Sequence, residues 1–222
     1  MLFPRNDRYY IKYKEIYLVP IIPETIIDLI RHGEPEGGRA YRGHSINDPL
    51  TEKGWQQMWD AVGEAAPWNQ IITSPLERCQ AFAEALMDVY GIPCTTEENF
   101  KEVGFGSWEG RTPDEIKDDN LKEYKDFYHD PVKCRPPGAE DLNAFIERVS
   151  KAYQQTVEKF AGKHILIVAH AGVNRAIIAH VLHAAPLGLY RIKVNNAGLS
   201  RIKHDHIGSH LLYHNVQLAD MA

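Results

Sequence analysis

Cysteine is scarce in this chain. Cys79, Cys94 and Cys134 are the only three; their spacing is irregular and no Cys-x-x-Cys pair occurs, so neither a disulfide framework nor a structural zinc site is expected. A reducing cytoplasm is the compartment that follows. Long apolar runs are missing too. The greasiest stretch, from Ile16 to Ile30, contains Pro20, Pro23, Glu24 and Asp28, which makes it too short and too broken to span a bilayer. The same interruptions deny the first two dozen residues the apolar core of a signal peptide. Nor is there an excess of positive charge. The formal net charge is −5, which gives no general attraction to nucleic acid or to an anionic membrane, so any anion site must be built locally. Repeats and low-complexity segments are likewise absent.

What is present is an ordinary globular composition: 222 residues, 44% hydrophobic and 25% charged, enough for one α/β core. From Thr25 onward, short apolar runs alternate with stretches of helical spacing, the pattern of a largely parallel sheet wrapped by helices. TIIDLI at 25–30 predicts a buried strand leading into Arg31 and His32. A helix is expected from Thr51, with Trp55, Met58, Trp59 and Val62 on one face. A short strand follows at 70–73. Ser74-Pro75-Leu76-Glu77 reads as a capping box with proline at the first helical position, and Gly91 and Pro93 end that helix. Thr112-Pro113-Asp114-Glu115 repeats the start signal, and Pro131, Pro136, Pro137 and Gly138 break up the helical region it opens. A long helix carries Leu142, Phe145, Ile146, Val149, Tyr153 and Val157 as its buried stripe. HILIVA at 164–169 is a buried strand delivering His170, and a helix follows. Between Tyr190 and Gln217 two or three strands are expected, with turns near Asn195-Asn196 and Gly208.

Three reactive groups therefore fall just after strands: Arg31-His32, Arg78 and His170. Ligands of open α/β sheets bind at the carboxyl ends of the strands, so these residues are expected to converge although they are distant in sequence. Two arginines and two histidines around one point suit a phosphoryl group, because the guanidinium fork donates paired hydrogen bonds to phosphate oxygens and stays charged. Helix N-termini at Ser74 and at Ala171-Gly172 would add N–H donors. Flanking arginines should keep the His32 imidazole neutral and able to attack phosphorus. Glu102, in the aromatic and glycine-rich segment KEVGFGSWEG, is the choice to protonate the leaving oxygen. Singly, each residue has a plain reading: Arg78 as a solvated helix residue, Ser74 as a cap, His170 as a satisfied strand-end histidine, Glu102 as a surface carboxylate. Their joint occurrence reverses that reading. His204, His206, His210 and His214 read as exposed strand residues, with no metal assigned, and the four tryptophans as packing, Trp108 being close enough to Glu102 to line a pocket mouth.

In this order and spacing LIRHGE, SPLERC, KEVGFGSWEG and VAHAGVNR resemble the histidine phosphatase superfamily, also called phosphoglycerate mutase-like, from about Thr25 to Ser200. The resemblance implies Arg31 and Arg78 as phosphate ligands, His32 as nucleophile, Glu102 as proton donor and His170 as a second phosphate-binding histidine, with Ala171, Gly43 and His44 also near the substrate. It implies an α/β three-layer sandwich: a mostly parallel sheet of roughly six strands, helices on both faces and a small helical cap. On this basis residues 25–222 form one domain with a cap insertion at about 109–138, and residues 1–24 are an N-terminal extension, expected as an added strand or arm at a homodimer interface. No cofactor is implied.

The run Glu102-Val103-Gly104-Phe105-Gly106 differs from the Glu-Arg-His-Tyr usual in phosphoglycerate mutases, which favours the phosphatase branch. YRGHSINDPLTEKG and PPGAEDLNAFIERV are similar to α-ribazole phosphatases and other small-phosphoester phosphatases. The usual Gly-x-x-Asp-x-Pro-Leu appears here as Gly43 to Leu50, with either one residue inserted or Asn47 in place of the aspartate. Metal-independent hydrolysis of a small phosphorylated metabolite through a phosphohistidine, with α-ribazole 5'-phosphate as one candidate, is the expected function. The alternatives are a cofactor-dependent phosphoglycerate mutase and a non-catalytic module that binds phosphorylated ligands.

Overall fold

The structure is a computed structural model and describes residues 23–64 and 66–217. The expected N-terminal extension falls almost entirely outside the described residues. Six strands, β1 (Thr25–Arg31), β2 (Gln70–Thr73), β3 (Cys94–Thr96), β4 (His164–Ala169), β5 (Leu199–His204) and β6 (Ser209–Val216), form one sheet in the order β3-β2-β4-β1-β5-β6. β3, β2, β4 and β1 are parallel neighbours, β5 is antiparallel to β1, and β6 is antiparallel to β5. Only β5 runs against the rest, so the sheet is mostly parallel, as expected.

The central strands read as continuous apolar runs because both of their faces are covered. Alternate residues enter two separate cores. Ile27 and Leu29 of β1 and Ile165, Ile167 and Ala169 of β4 pack into one, with Phe145, Val149 and Tyr153 of α4 (Leu142–Lys159) and Val173 and Ile177 of α5 (Ala171–Val181). Ile30, Leu166, Val168 and Ile71 pack into the other, with Met58 and Val62 of α1 (Glu52–Val62) and Phe82 and Leu86 of α2 (Glu77–Tyr90). Helices therefore cover both faces, giving the three layers. Each aliphatic side chain fully buried in this way contributes roughly 1.5–3 kcal/mol.

Local signals explain most helix boundaries. Thr51 caps α1 by accepting from Gly54 N, and Gly91, with φ 68°, closes α2 in the left-handed conformation that glycine adopts without strain. α3 (Pro113–His129) begins with the expected capping box: Thr112 accepts from Glu115 N and Glu115 accepts from Thr112 N. It is kinked at Asn120, whose side chain accepts from Glu123 N and restarts the helix. The matching expectation at Ser74 is corrected. α2 begins at Glu77 without a capping side chain from Leu76, and the Glu77 N–H donates instead to Asn47 Oδ1 at 2.7 Å, from thirty residues earlier in the chain. Trp55 and Trp59 pack on Phe82, and Trp68 donates to Asp28.

Candidate active site

Strand register brings the histidines together. Arg31 pairs with Ala169 across the parallel β1–β4 ladder and Thr73 with Val168 across β2–β4. His32, His170 and Ser74 are the next residues of their strands, and the ladder continues one step into them: His32 N donates to Ala169 O, and Ser74 N to Val168 O, both at 3.0 Å. The two imidazole centroids lie 5.3 Å apart with planes inclined by 63°. Arg78 arrives from the first turn of α2, almost fully buried. Arg31, His32, Gly43, Arg78, Glu102 and Ala171 all line one cavity of about 300 Å³. His170, packed edge-on against the His32 ring, and His44 are not among the residues that line the cavity.

Each group is held by partners that leave a reactive part free. His32 Nδ1 lies 2.7 Å from the carbonyl oxygen of Gly33; a carbonyl only accepts, so Nδ1 carries the hydrogen and a neutral ring keeps its lone pair on Nε2. Arg31 donates through Nη1 to Val194 O, and Arg78 through Nη1 and Nη2 to Ile46 O and Gly43 O. The Nε of each arginine is buried with no acceptor among the described residues. Unsatisfied buried donors cost about 1–3 kcal/mol each and are uncommon without a functional cause. Ser74 Oγ bonds His170 Nε2 at 2.6 Å.

Burial and charge act together on the titrating groups. Desolvation, reinforced by the positive charges of Arg31 and Arg78, holds the His32 pKa well below its ordinary value. His170 is lowered in the same way, by burial first and then by Arg78, His32 and Arg31. Arg31 itself falls to about 10, mainly through burial, with Glu102 opposing the shift. Both imidazoles are therefore neutral at physiological pH, and both guanidiniums remain cations. Burial pushes the Cys79 thiol up, so it stays a thiol beside His170.

Glu102 reaches the cavity because α5 opens with a small residue. Gly172 N donates to Glu102 Oε2 at 3.2 Å, and Val103 N donates to Oε1 at 2.9 Å. A Cβ on Gly172 would overlap the carboxylate. One backbone donor at the start of α5, Gly172 N, thus serves the Glu102 carboxylate, whereas Ala171 lines the cavity. The segment before Glu102 is clamped by Arg148, which donates to the carbonyls of Asn99, Lys101 and Glu102 and pairs with Glu140 at 2.7 Å. His44 Nδ1 donates to the same Glu102 carbonyl at 3.2 Å, so His44 supports the carboxylate from behind.

Several residues that line or border the cavity are not among those the motifs single out. Glu109 accepts from Phe105 N and from both the N–H and the hydroxyl of Ser45, tying the loop after Gly43 to the Glu102 turn. Gly43, at φ +55°, passes so close to Glu109 that a Cβ there would overlap its carboxylate. Tyr41 and Tyr190 line the cavity with Tyr128 of α3, and the Tyr41 and Tyr128 hydroxyls bond each other at 2.7 Å. Trp108 is not at the mouth: it is buried, donates to Glu123 and backs Tyr41. Arg175 lies one turn beyond Ala171 on the same helical face, a spacing from which it could have been anticipated. Asn47 caps α2 and Asp48 pairs with Arg42, so neither meets the cavity.

The model of the histidine phosphatase superfamily (branch 1) matches residues 27–217. The chain belongs to that superfamily. Its relatives include an adenosylcobalamin/α-ribazole phosphatase of Salmonella typhimurium, 30% identical over 179 residues, covering 78% of this chain and 88% of the relative. A bifunctional protein of Mycobacterium tuberculosis is 28% identical over 181 residues, covering 79% of this chain and 49% of that protein. The chain thus spans about half the length of the mycobacterial relatives it matches. Among solved structures, YhfR of Bacillus stearothermophilus superposes with a TM-score of 0.77 at 28% identity, covering 85% of this chain and 95% of that one. The superfamily match runs past Ser200 into β6, so the antiparallel end of the sheet is part of the shared fold.

Proposed function

We propose that the protein hydrolyses a small phosphomonoester through a phosphohistidine, acting at the cavity between His32 and Glu102. The observation that carries this reading is the pair of buried Nε donors of Arg31 and Arg78, both without acceptors, around a neutral imidazole with a free Nε2. The guanidiniums bind the phosphoryl oxygens. The His32 lone pair forms a P–N bond as the ester P–O bond breaks, and Glu102 supplies the proton that the leaving oxygen takes. Water then attacks phosphorus, Glu102 takes its proton, and the P–N electrons return to Nε2 as inorganic phosphate forms. His170, held by Ser74 with its ring 5.3 Å from that of His32, keeps the nucleophile's ring in place. Residues of the segment at about 109–138 act as a cap, presenting Tyr128 to the leaving group. The charge stabilisation comes from side chains, so turnover proceeds without added metal.

The name of the Salmonella relative makes α-ribazole 5'-phosphate one ester to include in a screen. The test is turnover of p-nitrophenyl phosphate in EDTA, together with acid-labile labelling by a radioactive phosphate donor. His32→Ala is expected to lose both while still binding orthovanadate. Hydrolysis by that variant equal to the parent's, or turnover that appears only on adding divalent metal, would remove the phosphohistidine mechanism.

A further inference from the structure

The cavity carries more positive charge than one phosphoryl group requires. Five guanidiniums line it, from Arg31, Arg39, Arg42, Arg78 and Arg175, against the single carboxylate of Glu102. Arg42 is neutralised by Asp48 at 2.8 Å. A phosphomonoester dianion answers Arg31 and Arg78. Glu102, as the acid, holds a proton when the ester binds, so Arg39 and Arg175 are left over.

We propose that Arg175, aided by Arg39, forms a second anion subsite, so that the substrate is a phosphomonoester that also bears a carboxylate. This rests on the phosphatase reading and narrows its substrate class. Arg175 is fixed rather than free-swinging: its Nε donates to Ile192 O at 2.8 Å, and its guanidinium lies 5.5 Å from the centre of the Tyr190 ring. Its two terminal nitrogens have no carboxylate partner among the described residues. A planar fork held at its Nε with the far edge open matches the two oxygens of a carboxylate. Ala171, one turn earlier, puts no side chain of any length between Arg175 and the phosphoryl site. Arg39, exposed just after Gly38, lines the same cavity without an ion-pair partner among the described residues. An ester whose leaving group is uncharged leaves the Arg175 fork without a partner in a partly desolvated cavity, and so loses specificity.

The experiment compares kcat/KM for paired esters that differ only in the carboxylate: O-phosphoserine against O-phosphoethanolamine, and 3-phosphoglycerate against glycerol 3-phosphate. The parent is expected to prefer one carboxylated member by roughly 10- to 100-fold, the range for a charge-assisted hydrogen-bonded pair. Arg175→Gln should collapse that ratio towards one, Arg175→Lys should restore part of it, and Arg39→Gln, at an exposed site that folding does not depend on, should lower it by a smaller factor. A parent that turns over p-nitrophenyl phosphate but treats both pairs alike would overturn the subsite and leave the phosphatase reading intact. An Arg175→Gln protein that is folded by circular dichroism and keeps the parent's ratio would overturn it too. Failure to hydrolyse any of the esters would instead overturn the phosphatase reading.

Discussion

The Glu102 carboxylate sits where a side chain on Gly172 would be: Oε2 accepts from Gly172 N at 3.2 Å, and any Cβ at 172 would overlap the carboxylate. Gly172→Ala should therefore push Glu102 off the leaving-group position while leaving the phosphate ligands in place. General acid–base groups contribute about 10²–10⁴-fold, so kcat should fall by ~10²-fold or more with KM little changed. Glu102→Gln should give a loss of the same order. Steady-state kinetics on p-nitrophenyl phosphate check this, and unaltered kcat in Gly172→Ala would mean that Glu102 does not handle the proton.

Ser74 is the only described side-chain oxygen bonded to His170. Removing it in Ser74→Ala leaves a buried imidazole nitrogen unpaired and free to turn, at a cost of about 1–3 kcal/mol. Transition-state stabilisation should suffer more than folding: kcat should drop about 10-fold while the melting temperature moves by only a few degrees. Equal kcat would show that the orientation of His170 does not depend on this hydroxyl.

The same pair shows where sequence reading reaches its limit. Ser74-Pro75-Leu76-Glu77 and Thr112-Pro113-Asp114-Glu115 carry identical start signals, yet only the second is a capping box, because its partners are all local. At Ser74 the hydroxyl is drawn to His170, 96 residues away, and the helix is capped from Asn47. Strands β1 and β4 were legible because burial on both faces makes them unbroken apolar runs, and the residues that follow them inherit their place at one sheet edge. β3 was not, being three residues at an edge with one half-buried and two exposed positions. Arg148 and Glu109 act through contacts with loop backbone far along the chain, which no spacing rule encodes, whereas Arg175 follows Ala171 at helical spacing. His44, which the resemblance implies to be near the substrate, donates instead to the Glu102 carbonyl, a contact that no motif encodes.

Stability hinges on a charge at the centre of the sheet. Asp28 is fully buried and accepts from Arg201 at 2.7 and 2.8 Å, from His164 and from Trp68. Despite the opposing effect of burial, these hydrogen bonds hold its carboxyl below the ordinary carboxylate range. Removing one partner of a buried pair costs about 3–5 kcal/mol, because the other charge stays buried. Arg201→Leu should lower the melting temperature by roughly 10 °C in a chain of this size. Asp28→Asn with Arg201→Leu should recover part of the loss, since no bare charge remains. A single Arg201→Leu variant as stable as the parent would show that His164 and Trp68 suffice.

The two site histidines also set how stability responds to acid. In the folded protein burial and the arginine charges keep both neutral well below 6.5, whereas in the unfolded chain both protonate near 6.5. Below that value the unfolded state binds more protons, so stability must fall as pH falls, by up to about 1.4 kcal/mol per pH unit for each histidine. His180 and His204, also lowered by burial, add in the same direction. Asp28, lowered instead from 3.8, contributes its own loss only further into acid. Urea titrations at pH 7 and pH 5 should show a marked drop in unfolding free energy for the parent, and a smaller one for His32→Gln with His170→Gln, which removes two of the protons taken up. An equal drop in both proteins would mean that the site imidazoles do not resist protonation, and with that the argument for a neutral nucleophile at His32 would fail.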